Sequence, residues 1–355
     1  MRKSERAREL GSLAKHRAYL GLPPKKGSVV PFPCDPAEVF ATQVKGLAAR
    51  LKAIKCRDVV IGLSGGLDST LALLVANAAF AKLKYDKCGI HVYTMPGFGT
   101  SKRTKGNAEL LCEGLGLKLE TISIAKSVRQ HLKDIGHDGK TPDITYENAQ
   151  ARMRTMILMD KANMTGGIVL GTGDLSEIAL GWSTYNGDHM SMFCVNNGVP
   201  KTVIRKVCAD WCDLATKRAQ RGRKDVLKAV QAIRDIIDTP VSPELVKGQV
   251  TEDKIGPYEL HDFFLWNFIM NEMGSKDLQL AAERYFTVPS ASSRTGAGKS
   301  AFSKELIAKT LRTFLWRFFT QAFKRNCQPD GIRVFPFELS LRGWWIPSDL
   351  GYVKV

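Results

Sequence analysis

The sequence lacks the patterns that mark several large classes of protein. No stretch approaches the run of about 18 uncharged apolar residues that a membrane helix requires, so we expect no membrane-spanning segment. The eight cysteines include no Cys-x-x-Cys pair, and scattered thiols in a long chain favour a reduced, cytoplasmic protein over a disulfide framework. Cys208 and Cys212 lie four residues apart, a spacing that favours two core residues on one helical face over a metal site. The six histidines form no cluster, so no zinc site is predicted.

Acidic residues are few relative to basic ones. Against 35 Asp and Glu stand 52 Lys and Arg, which gives a formal net charge of +17. Such a balance attracts polyanions: nucleic acid, an acidic membrane surface or a small ligand that carries several phosphates. The composition, 44% hydrophobic and 25% charged, excludes collagen-like and wholly disordered chains. A chain of 355 residues forms one large or two modest domains.

Strand-like and helix-like segments alternate from residue 36 onward. The predicted strands are Asp58–Leu63, Lys87–Thr94, Leu119–Ser123 and Gly167–Gly171, and the predicted helices between them are Glu38–Ile54, Asp68–Leu83, Thr104–Leu115 and Thr145–Met164. Single helices between strands imply crossover connections, and crossovers produce parallel pairs. The fold class is therefore α/β, a doubly wound and mainly parallel sheet with helices on both faces.

The two ends of the chain differ from this pattern. The first 27 residues carry eight Lys or Arg and only two Glu, which predicts a basic arm outside the core. After a charged, helical stretch at Asp213–Lys228 and a loop that runs to Pro257, the predicted helices are Pro257–Met273, Asp277–Phe286 and Ser303–Lys324. We divide the chain into an arm (1–35), a main domain (36–300) and a helical C-terminal extension that packs on it (301–355).

The segment Ser64-Gly65-Gly66-Leu67-Asp68-Ser69 lies where a predicted strand turns into a helix. Glycines there let the backbone approach an anion, and the helix N-terminus adds partial positive charge, so the loop suits phosphate. It is not a Walker A loop, because no Gly-Lys-Ser/Thr closes it. Asp68 would repel a phosphate unless a divalent cation lies between them, which argues for ATP with Mg²⁺.

This segment resembles the pyrophosphate loop of the ATP pyrophosphatases, which split ATP between its α and β phosphates to adenylate an oxygen. Three further segments, 95–101 (MPGFGTS), 146–152 (YENAQAR) and 171–201, make the chain similar to the synthetase domain of the glutamine-dependent NAD synthetases. The resemblance covers roughly Pro36 to Asp349. It implies an adenine nucleotide alpha hydrolase-like sheet.

The resemblance also implies two sets of binding residues and no covalent nucleophile. The residues expected at ATP are Ser64, Gly65, Gly66, Asp68, Ser69, Thr172, Lys201 and Ser242. Those expected at deamido-NAD (nicotinic acid adenine dinucleotide) are Asn148, Arg152, Glu177, Trp182, Ser183, Thr184, Tyr185 and Lys324. Asp68 and Glu177 would hold Mg²⁺. The polar segment 97–106 would form a hinged lid over the phosphates.

The activity that this family implies is ATP-dependent amidation of deamido-NAD to NAD through an acyl-adenylate, with release of AMP and pyrophosphate by a homodimer. Two alternatives stay open. A tRNA-modifying adenylating enzyme would suit the charge of +17, but the cysteines do not form the reactive pair such thiolases carry. A non-catalytic basic module that binds nucleic acid would not need both Asp68 and Glu177, so we expect no nucleic-acid partner.

The expected nitrogen donor follows from the number of residues that precede the loop. Only 63 residues precede Ser64, and the nearest of them form the first helix and strand of the main domain. An amidase domain would need upwards of about 100 residues. We therefore expect this chain to use ammonia, and glutamine only when a separate glutaminase supplies it or when the chain is part of a longer one.

Overall fold

A single parallel sheet forms the centre of the molecule. The computed structural model describes residues 31–220, 222, 224–242, 245–246, 250–286 and 301–340. Its strands are β1 (Val59–Gly62), β2 (Ile90–Thr94), β3 (Leu119–Thr121), β4 (Ile168–Gly171) and β5 (Phe193–Cys194), in the spatial order β3-β2-β1-β4-β5. Every pair of neighbouring strands is parallel. The predicted parallel sheet is confirmed.

Helices cover both faces of this sheet. They are α1 (Pro36–Ala53), α2 (Leu67–Leu83), α3 (Lys102–Leu115), α4 (Ala125–Asp134), α5 (Ile144–Thr165), α6 (Leu175–Leu180), α7 (Lys201–Ala219) and α8 (Val226–Ile237). Side chains of β1 alternate between the faces, as a strand requires: Val59 and Ile61 join the large core that contains α1, α2 and α7, whereas Val60 packs with Ala162 of α5. The expected doubly wound arrangement is therefore present.

The C-terminal region is helical, as predicted. It consists of α9 (Thr251–Ile255), α10 (Tyr258–Met270), α11 (Ser275–Phe286), α12 (Lys304–Thr320) and α13 (Ala322–Arg325). Aromatic residues of α10 and α12 pack against one another; the rings of Phe268 and Phe318 lie 5.4 Å apart. Within the described part of the chain, no helix is long and apolar enough to cross a bilayer.

Several boundaries differ from those predicted. The segment predicted as the start of the second strand is a 3-10 turn, Lys87–Gly89, since the Asp86 carboxylate accepts the Cys88 amide at 2.9 Å. The stretch predicted as helical at Asp213–Lys228 contains a break, because α7 ends at Ala219 and α8 begins at Val226. The helix predicted over Ser303–Lys324 is interrupted at Gln321. Cys208 and Cys212 are buried on α7, as expected for core residues.

His261 of α10 predicts a specific pH dependence of stability. Burial lowers its pKa to about 4 from 6.5, and its Nε2 lies 2.9 Å from the carbonyl of Ile255. Between these values the unfolded chain binds a proton that the folded chain excludes, so stability falls as the pH falls. The stability advantage of the wild type over His261→Gln should shrink by up to about 1.4 kcal/mol per pH unit in that window. Urea unfolding from pH 7 to 5 measures it, and a constant difference would contradict the assignment.

Candidate active site

The loop after β1 forms a cradle of backbone amides. Gly65 has φ +81°, and a Cβ there would lie 2.3 Å from the carbonyl oxygen of Thr104, so only glycine fits. Helix α2 starts at Leu67, and among the described residues no side chain caps its N-terminus. The first-turn amides of a helix have no partner within it, which leaves them to an anion. The position after a strand at the carboxyl edge of the sheet is the usual ligand site in this architecture, next to the switch point between β1 and β4.

Three carboxylates converge beside this cradle. Ligand oxygens of Asp68, Asp174 and Glu177 all lie within 4.8 Å of one another. The buried ammonium of Lys201 lies 2.7 Å from Asp68, 2.6 Å from Asp174 and 2.9 Å from Glu177. Each acid comes from a segment that follows β1 or β4, so the sheet edge brings them together.

The charges in this cluster do not balance. Burial raises the pKa of Glu177 to about 7, with the charge of Asp68 adding to the shift and Lys201 opposing it. Burial also raises the pKa of Asp174. Burial acts to lower the pKa of Lys201, but the three carboxylates outweigh it and hold that pKa well above the ordinary value. With one cation among three acids, the site attracts further positive charge.

The cluster fits a divalent cation. Oδ1 of Asp68 is buried and has no hydrogen-bond partner among the described residues. Carboxylate oxygens are the ligands that Mg²⁺ prefers. The unpaired Oδ1 of Asp68 therefore supplies a ligand for such an ion, and the surplus negative charge of the three carboxylates would stabilise it.

Buried hydrogen bonds hold Lys201 in place. Helix α7 begins at this residue, and its N-cap Pro200 offers no side-chain acceptor. The carboxylate of Asp262 replaces the cap, since it accepts the Thr202 amide at 3.0 Å and bonds the hydroxyl of Ser176. That hydroxyl also accepts the Lys201 amide at 2.8 Å. Ser176 lies between Asp174 and Glu177, so one network positions both sides of the cluster.

One cavity of about 590 Å³ joins the cradle to a second group of predicted residues. Trp182, Ser183 and Thr184 also line it, and Thr184 Oγ1 donates to Oδ1 of Asn148 at 2.7 Å. The predicted site residues that line this cavity are Ser64, Gly65, Gly66, Asp68, Ser69, Asn148, Thr172, Glu177, Trp182, Ser183, Thr184, Ser242 and Lys324.

Three predicted residues lie outside this lining. Lys201 is 2% exposed and contacts the carboxylates that line the cavity. Arg152 is exposed and donates through Nε to the carbonyl of Tyr185 at 3.2 Å. Tyr185 is exposed too, and its ring stacks on His189 with centroids 5.3 Å apart. Contact of these three with a nucleotide stays a prediction.

The segment expected to form a lid, 97–106, is only partly a loop. Helix α3 begins within it at Lys102. The guanidinium of Arg103 binds the Asp235 carboxylate of α8 at 2.6 and 2.8 Å, which ties the segment to α8. Its closure over phosphates stays a prediction.

Asp174 and Arg317 are among the site residues that the sequence prediction missed. Asp174 is fully buried in the carboxylate cluster, and Arg317 lines the cavity beside Trp182. The position of Asp174 was informative, because Thr172-Gly173-Asp174 directly follows β4, at the same sheet edge as the cradle. Arg317 lies on the amphipathic helix α12, and no strand end or glycine loop beside it in the sequence indicates a site.

Comparisons with known proteins agree with this geometry. A family model described as NAD synthase matches residues 39–291. A "Glutamine-dependent NAD(+) synthetase" of Mycobacterium leprae (strain TN) is 40% identical over 340 residues, which cover 89% of this chain and 48% of that protein. The chain thus spans about half the length of the curated relatives it matches.

Solved structures extend the comparison. The structure of an NMN synthetase from Francisella tularensis is 25% identical with a TM-score of 0.54, and the match covers 70% of this chain and 92% of that one. A glutamine-dependent NAD(+) synthetase from Cytophaga hutchinsonii shares the fold with a TM-score of 0.64 at 16% identity, over 88% of this chain and 54% of that one. Since the family model alone matches well over half of its residues, the chain belongs to the NAD synthase family.

Proposed function

We propose that the chain amidates deamido-NAD to NAD at the expense of ATP, which is split into AMP and pyrophosphate. The observation that carries the proposal is the single cavity that joins a phosphate cradle, a carboxylate cluster and the Trp182–Thr184 segment. A dinucleotide placed along it would bring its nicotinate carboxylate towards ATP bound at the cradle. The name of the Mycobacterium leprae relative supports the same reaction.

The reaction has two steps. An oxygen of the nicotinate carboxylate attacks the α-phosphorus of ATP, and the bond to pyrophosphate breaks. Ammonia then attacks the carbonyl carbon of the acyl-adenylate; AMP leaves with the bonding electrons, and the proton lost by nitrogen passes to solvent. Catalysis would depend on positioning and electrostatics rather than on a covalent nucleophile.

The residues of the chain have distinct tasks in this scheme. Amides of the Ser64–Ser69 loop hold the pyrophosphate as negative charge accumulates on it. The hydroxyl of Thr184 and the amide of Asn148, already bonded to each other, present polar atoms to the dinucleotide. Asp68 and Glu177 would hold Mg²⁺, and the ion would neutralise charge on the phosphates. Apolar residues of the wall, among them Leu158 and Trp182, would limit the access of water that hydrolyses an acyl-adenylate.

The nitrogen donor is tested with the purified chain, ATP and Mg²⁺. We expect NAD, AMP and pyrophosphate from deamido-NAD with ammonium chloride, and at least about tenfold less NAD with ammonia-free glutamine. Comparable NAD formation from glutamine alone would contradict ammonia as donor. Because one similar structure is an NMN synthetase, nicotinic acid mononucleotide is offered in parallel. No product from either nucleotide with ammonium would contradict the function.

A homodimer forms part of the proposal. Helix α5 presents three large apolar side chains to solvent: Ile144, Met156 and Met164, of which 69%, 53% and 76% are exposed. Met156 and Met164 are eight residues apart, which places them about 80° apart on the same side of the helix, where a second subunit would cover both. Sedimentation equilibrium should give twice the chain mass, and Met156→Glu should shift the equilibrium to monomer. A wild-type monomer at micromolar concentration would contradict the dimer.

A further inference from the structure

Three cations of the C-terminal helices bind the end of helix α6. The Arg317 guanidinium of α12 donates from Nε to the carbonyl of Leu180 at 2.9 Å and from Nη2 to that of Gly181 at 3.1 Å. Lys324 of α13 donates to the carbonyls of Gly181 at 2.9 Å and Ser183 at 2.6 Å. Arg325 donates to the carbonyl of Ala179 at 3.0 Å.

This contact has a physical reason. The last carbonyls of a helix have no partner within it and carry partial negative charge, so cations are stabilising there. The approach is close: a Cβ on Gly181, which has φ +55°, would lie 2.5 Å from Cβ of Gln321. The C-terminal helices therefore pack closely against the segment between Glu177 and Trp182.

Arg317 makes a further contact, with the side chain of Trp182. Its guanidinium carbon lies 4.7 Å from the centroid of the indole ring, within cation–π distance. Both residues line the same cavity as the phosphate cradle. One face of the indole is therefore covered by the chain itself, and the ring borders the space that we assign to the dinucleotide.

We propose that Arg317 is a positioning residue for the dinucleotide, because it holds Trp182 as a flat wall on which an aromatic ring of that substrate stacks. The inference rests on the proposed function. The guanidinium suits this task, since two of its N–H groups bond adjacent carbonyls while its central carbon lies 4.7 Å from the centroid of the indole ring. A lysine could supply the charge but not the planar fork.

Steady-state kinetics of the 355-residue chain test the inference. Arg317→Met should raise KM for deamido-NAD about tenfold, equivalent to about 1.4 kcal/mol, and leave kcat and KM for ATP within about twofold. Binding that is equal in the ground and transition states changes KM alone. Arg312→Met is the matched control, because Arg312 is exposed on the same helix; its constants should equal those of the wild type. Unchanged KM for deamido-NAD, or equal changes for both substrates, would overturn the inference.

A double-mutant cycle separates positioning of Trp182 from general packing. In a Trp182→Ala background, Arg317→Met should change KM for deamido-NAD by less than about twofold, since its partner is gone. Fully additive effects would overturn the inference. If Arg317→Met does not fold, Arg317→Lys decides the question by the same comparison, with an expected rise of about threefold.

Titration calorimetry identifies the stacked ring and keeps the two proposals apart. Wild-type chain and Arg317→Met are titrated with deamido-NAD, nicotinic acid mononucleotide and AMP. Weaker binding of the mononucleotide in the variant identifies the nicotinate ring, and weaker binding of AMP identifies adenine. If the wild type binds deamido-NAD and the variant binds all three ligands equally well, the inference fails and the proposed function stands. If the wild type does not bind deamido-NAD, the proposed function fails, and the inference with it.

Discussion

Asp68→Asn is expected to lower turnover by about 100-fold or more while the chain stays folded, a loss comparable to that of one preorganised electrostatic group in other active sites. The substitution deletes a charge from the carboxylate whose Oδ1 is open for a cation, and it places an amide near the Lys201 ammonium, 2.7 Å from the present oxygen. The backbone of the cradle does not depend on this side chain. Nucleotide binding should therefore weaken much less than turnover.

The measurement is NAD formation at saturating ATP over a range of Mg²⁺ concentrations. Asp277→Asn is the matched control. Asp277 lies in the first turn of α11, as Asp68 lies in the first turn of α2, but the side chain of Asp277 is exposed and outside the site. The control removes the same interaction with a helix N-terminus and should leave turnover unchanged. Near-native turnover of Asp68→Asn at ordinary Mg²⁺ would show that this carboxylate does not hold the metal.

The sequence predicted the sheet because its signals are local. An apolar strand, a crossover helix and a glycine loop at a strand end can each be recognised from a short stretch of sequence. Strands β1 to β4 accordingly lie close to where we expected them. Elements with a weak local signal were not predicted. The two residues of β5 carry no periodicity, and α4 buries only Val128 and Leu132.

The candidate site was harder to predict where it depends on contacts distant in the chain. Contact of Lys201 with ATP stays a prediction, but the sequence did not show that its ammonium is shared by three carboxylates, one of which, Asp174, we did not name. Lys201 and Asp68 lie 133 residues apart. A pattern in the sequence can indicate that a lysine matters, but only the fold shows which charges surround it.

Lys201→Met is expected to destabilise the chain by about 3–5 kcal/mol at pH 8, because removal of one partner leaves a buried charge uncompensated. Asp174 is fully buried, and its Oδ2 lies 2.6 Å from the ammonium. Methionine matches the lysine side chain up to Cε and lacks only the terminal ammonium, so lost packing of the stem contributes little. Urea unfolding followed by circular dichroism measures the change. Lys118→Met is the control: this lysine pairs with Glu120 at 2.9 Å on the surface, where ion pairs contribute little.

The double variant Lys201→Met/Asp174→Asn decides whether the lost stability comes from the uncompensated charge. Removing both partners of a buried ion pair is often nearly neutral, whereas removing one is strongly destabilising. The double variant should therefore recover at least half of the loss, although Asp68 and Glu177 stay in place and lack the cation that they shared. Activity should not return with stability. Without the Lys201 ammonium, Asp68 and Glu177 would repel ATP more strongly than they do in the wild type. If the double variant is as unstable as Lys201→Met, the uncompensated charge of Asp174 is not the source of the lost stability.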